Sequence, residues 1–98
     1  MTTPALAQVY ADLITQIVRE MQKIMGPVAV TLANKVPGLN VGEKKVSITG
    51  NPEKVIFGLL EQYMKIVGNV AITIAKKQSA FFAAKYPNLK VPKELRGY

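Results

Sequence analysis

One eleven-residue pattern occurs twice in this chain, and it constrains the fold more than any other feature. Lys23 to Ala33 reads KIMGPVAVTLA and Lys65 to Ala75 reads KIVGNVAITIA, with seven of the eleven positions identical at an offset of 42 residues. A second similarity follows, because Val36 to Val41 resembles Tyr86 to Val91. Recurrence of this kind is typical of repeated structural units. We therefore predict an internal pseudo-repeat, the alternative being convergence of two apolar helices that each contain a glycine.

Both halves carry the signals of long helices. Thr3 before Pro4 and Asn51 before Pro52 each place an N-cap side chain ahead of a proline at the first helical position, where its missing N–H is not needed. Apolar residues then recur at helical spacing. We predict a mainly α fold, an antiparallel hairpin of two long helices in one domain. The predicted ranges are helix 4–35, helix 52–86 and a basic C-terminal tail 87–98, within a single domain 1–98.

Two short stretches have the composition of strands. Val28 to Leu32 and Val70 to Ile74 are rich in β-branched residues, so a strand is the alternative interpretation of each. Neither stretch shows strict alternation, and neither has turn signals on both sides. We therefore predict that both are helical.

A weak point is expected near the middle of each helix. Pro27 removes a backbone hydrogen bond, and Gly68-Asn69 is the matching site in the second half, so both helices should be kinked. Small residues at spacings of three and four surround each kink and allow helices to approach closely. We predict that copies of the chain pack together there, the alternative being ordinary core alanines. The predicted packing residues are Gly26, Ala29, Ala33, Gly68, Ala71 and Ala75.

The segment between the helices predicts a short β-hairpin over residues 39–50. Val46 and Ile48 alternate with polar residues, and Gly42 to Lys45 has the composition of a turn. An isolated hairpin is only marginally stable in water. We therefore expect it to dock on a neighbouring chain.

The chain has more apolar sequence than a domain of its length can easily bury. Of its 98 residues, 49% are hydrophobic and only 19% are charged, against about 25% charged in ordinary domains. A domain this short buries only about two-thirds of its unfolded surface. We expect copies to associate into a large homo-oligomer. A membrane span is not expected, because the longest uncharged runs are 11 residues and a span needs about 18.

Positive charge is concentrated in the last quarter of the chain. The formal net charge is +7, and residues 76–98 contain six basic residues against one acidic residue. Such an excess favours a polyanionic partner, and phosphate contacts of this kind are independent of base sequence. A solvated tail that keeps the protein in solution is the alternative. The predicted nucleic-acid-binding residues are Lys76, Lys77, Lys85, Lys90, Lys93 and Arg96.

Catalytic chemistry is not expected. The chain contains no cysteine and no histidine, which removes thiolate nucleophiles and the commonest general base and metal ligand. No nucleophile, base and orienting group can be assembled around Asp12, the single aspartate, and the glutamates lack metal-ligand spacing. We predict no enzyme, no cofactor, no metal and no small-molecule substrate.

A kinked apolar helix pair with a β-hairpin between the helices resembles the major coat protein of bacilliform, membrane-free DNA viruses of hyperthermophilic archaea, the clavavirus type. The resemblance is one of architecture over the full length, carried by Ile24 to Ala29, Leu39 to Gly50 and Ile66 to Ala75. It implies a virion in which many identical subunits assemble helically into a rod. It also implies that the inner surface neutralises packaged double-stranded DNA.

Two other classes of protein are alternatives. The first is a small nucleic-acid-binding dimer of the cytoplasm, similar to a chromatin protein. Such a dimer would hide its apolar surface in a closed oligomer. A membrane-associated amphipathic helical protein is favoured by the apolar stripe and basic residues of the first half. The size of the particles that the protein forms, and its binding to lipid vesicles, separate these three classes.

Overall fold

The computed structural model describes residues 5–42, 45–92 and 95. These residues form a mainly helical fold with a two-stranded antiparallel hairpin between its two helical halves. The elements in chain order are α1 (Leu6–Met25), α2 (Val28–Ala33), β1 (Leu39–Val41), β2 (Val46–Ile48), α3 (Pro52–Val67) and α4 (Asn69–Lys85). The predicted mainly α class with a hairpin is confirmed.

Each predicted long helix is broken in two at a glycine. Gly26 caps the end of α1 with φ 66° and ψ −147°, and Gly68 caps the end of α3 with φ 61° and ψ −136°. Only glycine adopts this backbone region readily. A continuous helix over residues 52–85 would be about 51 Å long, whereas the longest dimension of the molecule is 38 Å. The structure therefore has separate helices where continuous kinked helices, 4–35 and 52–86, were predicted.

The start of α3 follows the predicted capping chemistry. The Asn51 side-chain Oδ1 accepts hydrogen bonds from the backbone N–H groups of Glu53 at 2.9 Å and Lys54 at 3.4 Å. The corresponding Thr3-Pro4 prediction lies outside the described residues, and α1 begins at Leu6 after Ala5, which makes no side-chain cap. The stretches rich in β-branched residues lie in α2 and α4, so the prediction that they are helical is confirmed.

The hairpin docks on α1 of its own chain. Its strands pair with Leu39 opposite Ile48 and Val41 opposite Val46. The side chains of Val46 and Ile48 pack against the hydrophobic core, and β2 lies against α1. A single chain therefore provides the support that was expected from a neighbour.

One chain also builds a core of its own. The radius of gyration is 12.4 Å, close to the roughly 12.6 Å of a compact domain of this length. At the centre, the buried Tyr63 hydroxyl donates a hydrogen bond to the Ala29 carbonyl at 2.8 Å, and burial raises the pKa of Tyr63 well above its ordinary value of 10.0. The interior is therefore supplied within one chain, and any drive to associate must come from what the surface exposes.

A second tyrosine holds the segment that follows α4. The Tyr10 hydroxyl donates to the Lys90 carbonyl at 2.6 Å and accepts from the Lys90 N–H at 3.0 Å. Leu89 and Val91 on either side are buried. Part of the predicted basic tail, 87–98, is thus packed along α1.

Candidate nucleic-acid interface

A groove of about 430 Å³ runs between α1, the start of β2 and the end of α4. It forms because the polar stripe of α1 faces the last turns of α4, with the hairpin closing one side. We call it the basic groove. Its lining residues are Gln8, Ala11, Asp12, Thr15, Gln16, Arg19, Lys45, Val46, Phe81, Phe82, Lys85 and Tyr86.

Three cations from separate parts of the chain converge on the basic groove. Arg19 comes from α1, Lys45 from the hairpin and Lys85 from the last turn of α4. None of the three forms an ion pair with another described residue. The ion pair found among the described residues joins Lys23 Nζ to Glu20 Oε2 at 2.7 Å. Asp12 supplies the acidic group of the lining, and its Oδ1 accepts a hydrogen bond from Gln8 Nε2 at 2.9 Å. The excess positive charge suits phosphate groups.

Aromatic rings lie beside these cations. Phe81 is 66% exposed and meets Phe82 edge-on, with the ring centroids 5.9 Å apart. Lys85 Nζ lies 5.9 Å from the centroid of the Tyr86 ring. Exposed rings next to cations offer a base a surface on which to stack while its phosphate is neutralised.

The structure separates the six residues predicted to bind nucleic acid. Lys85 lines the basic groove, whereas Lys76 and Lys77 lie about 12 Å further back along α4 and outside its lining. Lys90 is exposed and is held through its backbone at the N-terminal end of α1. The other two predicted residues, Lys93 and Arg96, lie outside the described residues.

Sequence reasoning missed Arg19 and Lys45. Arg19 belongs to the first third of the chain, whose formal charge sums to zero, and Lys45 belongs to the predicted turn. A signal for Arg19 was its place on the polar stripe of α1. Because these cations meet only when α4 and the hairpin pack beside α1, their convergence depends on tertiary structure.

The small residues predicted to pack between copies lie mostly inside one chain. Ala29, Ala33, Ala71 and Ala75 are each at most 1% exposed. They match the alternative interpretation of ordinary core alanines, because the chain itself covers them. Gly26 and Gly68 lie at the helix breaks, where their role is to provide a positive φ.

Large apolar side chains remain exposed around both breaks. Ile24 and Val28 are 50% and 47% exposed, and Ile66 and Val70, at the equivalent positions of the sequence pattern, are 58% and 48% exposed. The Tyr63–Ala29 hydrogen bond joins α3, five residues before its break, to α2, three residues after the other break. We call these four side chains together the apolar end.

No group of three or more potential ligands that could hold a metal ion occurs in the part of the chain that the structure describes. Of the helices in those same ranges, none combines the length and hydropathy needed to cross a bilayer. Comparison of the chain with known protein families, characterised proteins and solved structures finds no match.

Proposed function

We propose that this chain is a structural protein that assembles with copies of itself and neutralises nucleic-acid phosphates, as the coat protein of a virion enclosing double-stranded DNA does. The observation that carries the proposal is the apolar end. Ile24, Val28, Ile66 and Val70 are each about half exposed, two beside each helix break, and we infer that they form one surface. Clustered exposed apolar side chains are typical of protein interaction sites.

The internal pseudo-repeat accounts for how the apolar end arises. Gly26 and Gly68 have nearly the same dihedral angles, and the residues two before and two after each glycine are similarly exposed. In this proposal, two copies of one helix–glycine–helix unit each contribute one isoleucine and one valine. In the proposed assembly this surface is covered by a second copy of the chain.

The basic groove is the proposed site of phosphate contact. Arg19, Lys45 and Lys85 present three cations without ion-pair partners among the described residues. Contacts to phosphates position a nucleic acid without reading its sequence, which is what packaging a whole genome requires. Lys76, Lys77, Lys90, Lys93 and Arg96 supply further charge in this proposal.

Electron microscopy of the purified protein, with and without double-stranded DNA, tests the assembly. We expect large, regular, open-ended particles, and the double variant Ile66→Ser with Val70→Ser should reduce their formation at least about tenfold, because it removes apolar area at the apolar end. Leu6→Ser, also at an exposed apolar side chain of a helix, is the matched control and should assemble normally. Compact dimers or tetramers would favour the chromatin-like class, and flotation with lipid vesicles the membrane class; either result contradicts the proposal.

The phosphate contact is tested by the salt dependence of DNA binding. The triple variant Arg19→Gln, Lys45→Gln and Lys85→Gln should flatten the slope of log affinity against log salt by about 2 to 3, since each phosphate contact contributes about 0.9. Lys35→Gln, Lys54→Gln and Lys65→Gln remove the same charge from exposed positions outside the groove lining and should change the slope much less. Equal slopes in the two triple variants would contradict a role for the groove.

A separate variant tests the C-terminal residues. Alanine at Lys90, Lys93 and Arg96 should lower DNA retention and its salt slope if these side chains neutralise phosphates. Retention equal to that of the unmodified chain would show that they serve only to keep the protein in solution.

A further inference from the structure

The two outer edges of the hairpin can be assigned from its hydrogen bonds. Gly42 N–H donates to the Lys45 carbonyl at 2.9 Å, and Thr49 N–H donates to the Gly38 carbonyl at 2.7 Å. In an antiparallel pair, residues alternate between bonding across the pair and pointing their backbone groups outward. With the observed register, the outward-pointing residues are Leu39 and Val41 on β1, and Val46 and Ile48 on β2.

Three of the four outward backbone groups of β1 are bonded within the chain itself. Leu39 N–H donates to the Val36 carbonyl at 3.1 Å. Asn34 then imitates a neighbouring strand, because its Oδ1 accepts from Val41 N–H at 2.7 Å and its Nδ2 donates to the Val41 carbonyl at 3.2 Å. One side chain thus satisfies both outward groups of Val41.

The outer edge of β2 has no such cover. The outward N–H and carbonyl groups of Val46 and Ile48 have no hydrogen-bond partner among residues 5–42, 45–92 and 95. An open strand edge is a template on which another strand can pair. The side chains of these two residues pack against the core. A partner strand would therefore bind β2 through its backbone N–H and carbonyl groups.

We propose that this edge pairs with β2 of a second copy of the chain, antiparallel and centred on Ser47. In that register Val46 faces Ile48 of the second copy and each pair exchanges two hydrogen bonds, so that four bonds form and all the outward groups are satisfied. Lys45 then faces Thr49 of the second copy, which places no like charges opposite each other. The product is a four-stranded sheet with a twofold axis at Ser47.

This inference rests on the proposed function and names one contact of the assembly. A twofold contact by itself closes a pair of subunits and cannot extend. Two different contacts on each subunit, the β2 edge and the apolar end, can propagate an assembly without limit.

Cysteine cross-linking tests the pairing directly, because the chain contains no cysteine. The two copies of Ser47 would form a pair that is not hydrogen-bonded, with Cα atoms about 4.5 Å apart, within the range of a disulfide. Ser47→Cys should therefore give mostly covalent dimers when the assembled protein is mildly oxidised and run on a non-reducing gel. Asn40→Cys is the matched control, since Asn40 is exposed and lies opposite Ser47 on β1. Dimer yields no higher for Ser47→Cys than for Asn40→Cys would overturn the proposal.

Amide hydrogen exchange of the unmodified chain gives a second measurement that needs no substitution. Assembly should slow exchange at Val46 and Ile48 about tenfold or more, while Val41, already bonded to Asn34, should change little. Particles in the micrographs with unchanged exchange at Val46 and Ile48 would overturn the β2 contact and leave the proposed function standing. Absence of particles under all conditions would overturn both.

Discussion

The first and last helices are similar in length but bury very different side chains. α1 has 20 residues and α4 has 17. The buried residues of α1 are Val9, Tyr10, Leu13, Ile14, Ile17, Val18 and Met21. Those of α4 are Ala71, Ala75 and Ser79, which are all small.

The two helices therefore have different roles in the fold. α1 fills the core with large side chains on one stripe. α4 approaches it closely, because small residues at spacing four face inward, and its large apolar side chains such as Val70 and Phe81 are left outside. We infer that α1 carries most of the stability of the chain, while α4 carries surface for partners.

The largest expected effect is in α1. Ile17→Ala should lower the free energy of unfolding by about 2 to 5 kcal/mol, because it removes a fully buried side chain and leaves a cavity. Urea unfolding at low protein concentration measures this, with Val70→Ala in α4 as the control, expected to cost much less. An equal decrease in the free energy of unfolding in the two variants would contradict the inference that α1 carries most of the stability.

The next effect tests the close approach of α4. Ala75→Leu should lower the free energy of unfolding by about 1 to 3 kcal/mol, since the added carbons must enter a fully covered site. Ala80→Leu places the same side chain on the exposed side of α4 and should be nearly neutral. If Ala75→Leu unfolds at the same urea concentration as the unmodified chain, the small residues do not make a tight contact.

A smaller effect of opposite sign is expected at Ser79. Its Oγ is buried and has no hydrogen-bond partner in the described ranges, and a buried unpaired hydroxyl lowers stability. Ser79→Ala should therefore raise the free energy of unfolding by about 1 kcal/mol. Ser47→Ala, at an exposed serine, is the control with little expected change. A loss of stability in Ser79→Ala would show that the hydroxyl is bonded in solution.

The smallest effect on stability is expected at Phe81. Phe81→Ala should change the free energy of unfolding by less than about 0.5 kcal/mol, yet weaken binding of a single-stranded oligonucleotide by about 1 kcal/mol or more, since a stacking surface is lost. Fluorescence anisotropy at fixed salt measures the binding. Phe57→Ala, at a half-exposed phenylalanine outside the groove lining, should leave binding unchanged; equal weakening in both would place the stacking elsewhere.

Local features of this fold were predictable, and contacts between distant residues were not. The Asn51 cap and the hairpin each depend on a few neighbouring residues and appear where predicted, whereas breaks between separate helices stand where kinks were predicted. The sequence around Pro27 indicated an interruption, but it did not specify that Gly26 takes a positive φ and separates two helices. The convergence of Arg19, Lys45 and Lys85 requires three elements to pack together, which no local pattern encodes.

Asn34 limits the number of strands that can add to the hairpin. A hairpin with one side blocked can accept a single added strand, so stacking strand upon strand, as amyloid does, stops after one addition. The Asn34 amide thereby opposes the continuous strand addition that forms a fibre. Loss of that amide would leave both outward backbone groups of Val41 free to pair with a further strand.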